Sequence, residues 1–224
     1  MNISGFTKLR IVSALLLCSP ACWASTIYQV TIDTSSQSGN NGGIYFQFNG
    51  GLDPDPASVS ISSFVIGAPG SLSALPAPVG NGGVTGSLDS LPLVIDNSGG
   101  NNDYLHFLTF GPTLFFQVSV DFTSPLTGSS GSAFSFGLTA DDGLTPVLTG
   151  DPNGFNGQIS YDTAGVFTAS TLGNDAIETI APVASSGVPE PGTALLMTLA
   201  IAAIAFLRRA CRAQRQCRTV SFRV

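Results

Sequence analysis

At 224 residues the chain is long enough for one sizeable domain and leaves little room for a second. Its net charge is −6, yet every basic residue lies near an end: Lys8 and Arg10, then Arg208, Arg209, Arg212, Arg215, Arg218 and Arg223. Between Ser25 and Gly187 stand twelve Asp and one Glu with no Lys or Arg, which excludes nucleic acid as a partner, because binding to phosphates depends on basic side chains neutralising them. The cysteines follow the same geography, Cys18 and Cys22 at the start and Cys211 and Cys217 at the end, so the body between them needs neither disulfides nor a reducing compartment.

The first 24 residues read as a secretory signal. A short basic leader with Lys8 and Arg10 precedes an apolar run from Ile11 to Cys18, then the helix-breaking Pro20 and the small residues Cys22 and Ala24. The run is too short to span a bilayer as a permanent helix. Cleavage is expected between Ala24 and Ser25, with the Sec translocon and signal peptidase as partners in export.

Residues 25–178 read as an all-β domain. In "STIYQVTID" Tyr28, Val30 and Ile32 alternate with Ile27, Gln29 and Thr31, and in "GIYFQFN" Ile44, Phe46 and Phe48 alternate with Tyr45 and Gln47. The segments "SVSISSFVI", "DYLHFLTF", "LFFQVSVDF", "SAFSFGLT", "GQISYD" and "GVFTAST" continue the theme, with Gly, Pro, Asn and Asp between them. No window of a dozen residues here has helical periodicity. Strands at this spacing predict an antiparallel β-sandwich or jelly-roll-like domain, in which each strand buries one side. Residues 179–187, "TIAPVASSG", are small and proline-containing and read as a linker.

The body offers few groups for chemistry. His106 is the single histidine, and it sits inside the strand-like "YLHFLTF" with no nucleophile elbow in the chain. It reads as a sheet-surface or partly buried residue, and one histidine without cysteines builds no zinc site. The carboxylate pairs Asp53 with Asp55, Asp103 with Asp121, and Asp141 with Asp142 have the residue types of glycoside hydrolysis. Most of them sit among Gly, Pro and Asn, where aspartate stabilises turns by accepting bonds from its own backbone. Phe outnumbers Tyr and Trp, so a sugar-stacking platform is weakly encoded, and Phe at alternating strand positions belongs to a core. The sequence calls for no cofactor. Calcium is the one ion that its oxygen-rich loops suit, with Asp53, Asp55, Asp151 and Asn153 as candidate ligands. The EF-hand template fails: Asp151, Asn153 and Asp162 fall at the first, third and twelfth places, but Phe155 takes the fifth and Asn156 replaces the required glycine.

Residues 188–224 close the chain with "VPEPGTALLMTLAIAAIAFLRR" and a basic tail, 208–224. From Gly192 to Leu207 no charge occurs, and sixteen residues at about 1.5 Å each give ~24 Å of helix. That is short of the ~30 Å hydrocarbon core, and it suffices if Arg208 and Arg209 snorkel to the far headgroups. Positive charge stays on the cytoplasmic side, which places the body outside the inner membrane. Pro189 and Pro191 keep Glu190 extended and accessible.

The order Pro189-Glu190-Pro191, apolar helix 192–207, Arg208-Arg209 resembles the PEP-CTERM sorting signal of Gram-negative bacteria. The resemblance implies recognition and cleavage by an integral-membrane exosortase. Pro189, Glu190 and Pro191 would be the recognised element, and Arg208 and Arg209 the stop and orientation element. It also implies export by bacteria that make exopolysaccharide, biofilm or flocs. The segments "YQVTIDTSS", "NGGIYFQFN" and "DPDPASVSISSF" resemble a recurrent mature domain of PEP-CTERM proteins with no assigned activity. The reading is an exported, non-enzymatic surface or matrix protein, first anchored at the inner membrane with a periplasmic body, then moved to the envelope or beyond, with extracellular polysaccharide as a partner. A carbohydrate- or calcium-dependent binding module is the alternative.

Overall fold

The computed structural model describes residues 26–122, 126–173 and 178–183, together with Leu199 and Ala203. The expected signal peptide with its Ala24–Ser25 junction, the Pro189-Glu190-Pro191 element and Arg208-Arg209 lie outside the described residues. Leu199 and Ala203, inside the expected span, are helical. Among the described residues no helix is long and apolar enough to cross a membrane.

The alternating segments become strands that bury every second side chain. In chain order they are β1 (Thr26–Asp33), β2 (Asn41–Gly50), β3 (Ala57–Ile66), β4 (Ser71–Leu72), β5 (Val79–Asn81), β6 (Val84–Ser87) and β7 (Ser90–Asp96). There follow β8 (Asp103–Thr109), β9 (Thr113–Phe122), β10 (Ser132–Ala140), β11 (Pro146–Val147), β12 (Gly157–Tyr161), β13 (Phe167–Thr171) and β14 (Glu178–Pro182). A six-stranded sheet runs β14-β1-β9-β3-β7-β6, and an eight-stranded sheet runs β13-β12-β10-β2-β8-β4, with β11 also on β10 and β5 on β8. All these pairings are antiparallel. Residues Trp23–Val183 form one compact unit.

The inner faces of the two sheets supply one hydrophobic core, as a β-sandwich requires. Tyr28, Val30 and Ile32 of β1 are buried, as are Ile44, Phe46 and Phe48 of β2, which is the phase their alternation predicts. Phe116 of β9 ties the layers together. Its ring meets Phe46 edge-on at 5.3 Å and Phe136 edge-on at 5.2 Å, both from the opposite sheet.

In β3 the alternation changes phase. Val59 and Ile61 point inward, but a register shift between Ile61 and Ser63 inserts one residue against β9. After this bulge Phe64 pairs with Phe116 and Ile66 with Leu114, so both return toward the core, and Val65 is left 56% exposed.

Several short or proline-containing strands escape the sequence reading. The most important is β7, which carries Pro92 beside the irregular β6 pairing and still pairs with β3 from Leu93 to Asp96. At the C-terminal boundary the structure extends the body beyond residue 178. Residues Glu178–Pro182, the last residue of the expected body and the first four of the expected linker, form β14 and pair with β1, with Pro182 opposite Tyr28. Ile180 packs on the core, and an edge strand tolerates a proline because one row of its backbone groups has no ladder partner.

The connections are clamped to each other. Thr34, fully buried at the β1–β2 corner, donates its hydroxyl to the Gly111 carbonyl at 2.7 Å in the β8–β9 corner. Gly111 packs so closely on the next corner that a Cβ would fall 1.7 Å from the Gly67 carbonyl oxygen, so no larger residue fits.

Candidate functional site

The four proposed calcium ligands lie in two separate loops. Asp53 and Asp55 follow β2, and Asp151 and Asn153 precede β12. Gly50, Ser132 and Tyr161 share one row of the eight-stranded sheet, so the 51–56 loop sits at the end where β10 begins. The 148–156 loop belongs to the end where β10 finishes. Among the described residues no three His, Cys, Asp or Glu side chains gather where a metal could be held.

The acidic side chains of these loops hold local hydrogen bonds, Asp151 Oδ2 accepting from the Asn153 N–H at 3.0 Å and the Phe155 N–H at 3.2 Å. The Asp55 carboxylate accepts the Thr127 backbone N–H at 2.9 and 2.8 Å, the Thr127 hydroxyl at 3.0 Å and the Gly128 N–H at 2.7 Å. The backbone N–H groups of Thr127 and then Gly128 hold its carboxyl below the usual carboxylate range. Asp53 accepts the Ser129 hydroxyl at 3.3 Å in the same β9–β10 loop. Asn97, buried beside them, accepts the Ala57 N–H at 2.9 Å and donates to the Asp55 carbonyl at 2.8 Å and to Ser132 Oγ at 2.9 Å. Asp142 caps a turn by accepting from the Leu144 and Thr145 N–H groups, both at 2.8 Å, and from the Thr145 hydroxyl at 2.5 Å. Asp103 and Asp121 are on different sheets, in β8 and β9, and form no pair.

Asp55 carries a pH prediction. Its folded-state pKa is depressed, so the stability it confers is complete above its ordinary value of about 4 and is lost as pH falls through the lower folded value. Asp55→Asn is expected to melt earlier at neutral pH and to flatten the decline of Tm below about pH 5. Superimposable Tm–pH curves for the two proteins would refute this role.

His106 is more deeply placed than the sequence reading has it: its exposure is 0%. The β6–β7 turn closes over it, because the buried Leu88 donates its N–H to the Tyr104 hydroxyl at 3.1 Å. That hydroxyl lies 2.8 Å from His106 Nδ1, and Asp89 Oδ2 lies 3.5 Å from Nε2. A carboxylate facing Nε2 favours the proton there, which leaves Nδ1 to accept from Tyr104. The arrangement fastens a turn to a strand, and its centre is shut off from solvent.

A row of polar side chains, half-buried apart from the buried Ser135 and the exposed Asn81, crosses the outer face of the eight-stranded sheet. The registers set Ser170 of β13 beside Gln158 of β12, then Ser135 of β10, Gln47 of β2, Asp103 of β8 and Asn81 of β5. Gln158 Nε2 donates to Ser135 Oγ at 3.1 Å, and Asn81 Nδ2 donates to Asp103 Oδ1 at 2.6 Å. The Tyr45 hydroxyl donates to Asp103 Oδ2 at 3.1 Å and accepts from Gln47 Nε2 at 3.4 Å. Burial and then the Asp103 charge push the Tyr45 phenol up to about 12, so it stays protonated and a donor at neutral pH.

Beside Tyr45 lies the ring of Phe155, 6.2 Å between centroids and 26° from parallel. Phe155 reaches this place because its loop rests on β10. Gly137 pairs with Tyr45, and a Cβ there would fall 2.7 Å from the Gly154 carbonyl oxygen. The fully buried Asn156 fixes the loop: its Oδ1 accepts the Leu138 N–H at 2.7 Å and its Nδ2 donates to the Leu148 carbonyl at 2.6 Å. In the sequence Asn156 stands out only as a break in the EF-hand template, and Tyr45 with Gln47 only as the residues that alternate with Ile44, Phe46 and Phe48. Their partners are far away in the chain.

The tail supplies the remaining functional signal. Residues 187–212 match the family model described as the PEP-CTERM protein-sorting motif. The chain carries a PEP-CTERM sorting motif. The match contains Pro189, Glu190, Pro191, Arg208 and Arg209, the residues whose order carries the resemblance. No curated protein and no solved structure matches the chain. A PEP-CTERM motif implies export, exosortase processing and sorting to the envelope or surface, and the activity of the β body is unassigned.

Proposed function

We propose that this is an exported, non-enzymatic β-sandwich protein of the cell surface or extracellular matrix. A cleaved signal peptide takes the body through the Sec translocon, and the apolar helix 192–207 holds it briefly at the inner membrane with Arg208 and Arg209 inside. An exosortase then releases it at the Pro189-Glu190-Pro191 element, and it joins the exopolysaccharide of a biofilm. The observation that carries the reading is the sorting motif at residues 187–212. The charge layout supports the topology, since the stretch between Ser25 and Gly187 has no Lys or Arg and the tail after Leu207 has six Arg. The reading needs no cofactor.

The test is a triple variant, Pro189→Ala with Glu190→Ala and Pro191→Ala, expressed in the native host with an internal tag. Wild type should lose its tail and appear in the envelope or medium. The variant should stay in the membrane fraction with the tail attached. Release of both proteins to the same extent would overturn exosortase sorting through this element.

A further inference from the structure

We propose that the outer face of the eight-stranded sheet is a binding track for a neutral polysaccharide, centred on Tyr45 and Asp103. The inference rests on the polysaccharide association proposed above and names the face and the ligand chemistry.

Ser170, Gln158, Ser135, Gln47, Asp103 and Asn81 occupy one register row across six neighbouring strands. At about 4.8 Å per strand the row is roughly 24 Å long. A line of polar side chains of that length, interrupted at the surface only where Ser135 is buried, suits an extended polymer better than a compact small molecule. The outer face of the six-stranded sheet contrasts with it. The corresponding line there, Ala181, Gln29, Gln117 and Ser63, has no side-chain hydrogen bond among its described residues and no aromatic pair beside it.

Four hydrogen bonds fix the side chains of Gln158, Ser135, Gln47, Tyr45, Asp103 and Asn81 before any ligand arrives, which reduces the rotamer entropy lost on binding. Tyr45 and Phe155 add two nearly parallel, laterally offset rings at the edge of the row. Aromatic faces carry negative quadrupole potential and attract the polarised C–H groups on the flat side of a sugar ring.

Asp103 is an acceptor-only carboxylate, and each of its oxygens has one donor and retains lone-pair capacity. Such a centre selects hydroxyl donors. The body has no Lys or Arg to balance a phosphate, sulfate or uronate, so an acidic polymer is repelled. Neutral sugar hydroxyls satisfy the acceptors without desolvating a second charge.

The test uses the full chain in detergent micelles, titrated with a β-glucan, a galactomannan and dextran, with alginate as the acidic comparison and chitosan as the cationic one. At moderate salt, which screens the general attraction of an acidic body for a polycation, at least one neutral polymer should bind more tightly than both charged ones. Asp103→Ala and Gln158→Ala should each weaken that binding about tenfold, as loss of a hydrogen bond to a charged or preordered group does. Tyr45→Ala should weaken it further, and Tyr45→Phe should fall between. Gln29→Ala on the opposite sheet should leave it unchanged. Melting curves establish that each variant is folded, and if Tyr45→Ala unfolds, the Asp103 and Gln158 variants decide. Absence of binding to all three neutral polymers, a preference for alginate or chitosan, or unchanged affinity in Asp103→Ala and Gln158→Ala would each overturn the track. Tail cleavage is scored separately in the native host, so a sorted protein that binds no glycan sinks this inference alone, and an unsorted protein that binds leaves the track standing.

Discussion

Phe116→Ala is expected to destabilise the β body by about 3–5 kcal/mol, the range for removing a large aromatic from a packed core. Phe116 is fully buried and belongs to β9, with strands on both sides in its sheet. Its ring meets Phe46 and Phe136 edge-on across the sandwich and lies near-parallel to Phe64 at 6.5 Å. The void left by alanine would sit between two sheets whose spacing many other contacts fix, so the walls have little freedom to collapse. Denaturant unfolding of the purified protein measures the loss. A loss below about 1 kcal/mol would mean that the two sheets do not share this core.

Asn156→Ala should cost roughly 2–4 kcal/mol, because it strands the buried Leu138 N–H and takes the donor from the half-buried Leu148 carbonyl at once. Beyond Gly157 the neighbour of β10 changes from β12 to β11, which sets Val147 opposite Leu138, and the Asn156 side chain bridges the handover: it receives the Leu138 N–H and gives to the Leu148 carbonyl. The backbone of the same residue donates to the Phe136 carbonyl at 2.8 Å and accepts the Leu172 N–H at 2.7 Å. Alanine keeps those two bonds and loses the side-chain ones. Phe155 is the preceding residue, so the variant should also lose affinity for whichever polymer the wild type binds. A variant that melts with wild type would show that the loop is held by other contacts.

The fold was legible where alternation was clean. Tyr28, Val30 and Ile32, or Ile44, Phe46 and Phe48, declare an inward face because strand side chains repeat every two residues. Legibility failed where a local signal competed. Pro92 argued against a strand that nonetheless pairs from Leu93 onward, and Pro182 with small neighbours made β14 look like a linker. In both places pairing and core contact outweighed propensity, which is weak in strands to begin with. The two-residue strands β4 and β11 are too short to show a period at all.

The site is less legible than the fold. Tyr45 and Asp103 are 58 positions apart, and Gln158 and Ser135 are 23 apart. Only the order β12-β10-β2-β8 brings them into line, and strand order is a property of the whole chain. The candidate calcium ligands failed to converge for the same reason: Asp53 with Asp55 and Asp151 with Asn153 are loop pairs that the topology sends to opposite ends of β10. The sorting motif is legible because its residues are contiguous in sequence.

The account as a whole is tested most directly by the intact mass of the protein recovered from the envelope or medium of its native host. It predicts a species that begins at Ser25 and ends near the Pro189-Glu190-Pro191 element, lacking the apolar helix and all six tail arginines. A full-length species of 22.9 kDa recovered uncut from the cytosol would contradict it.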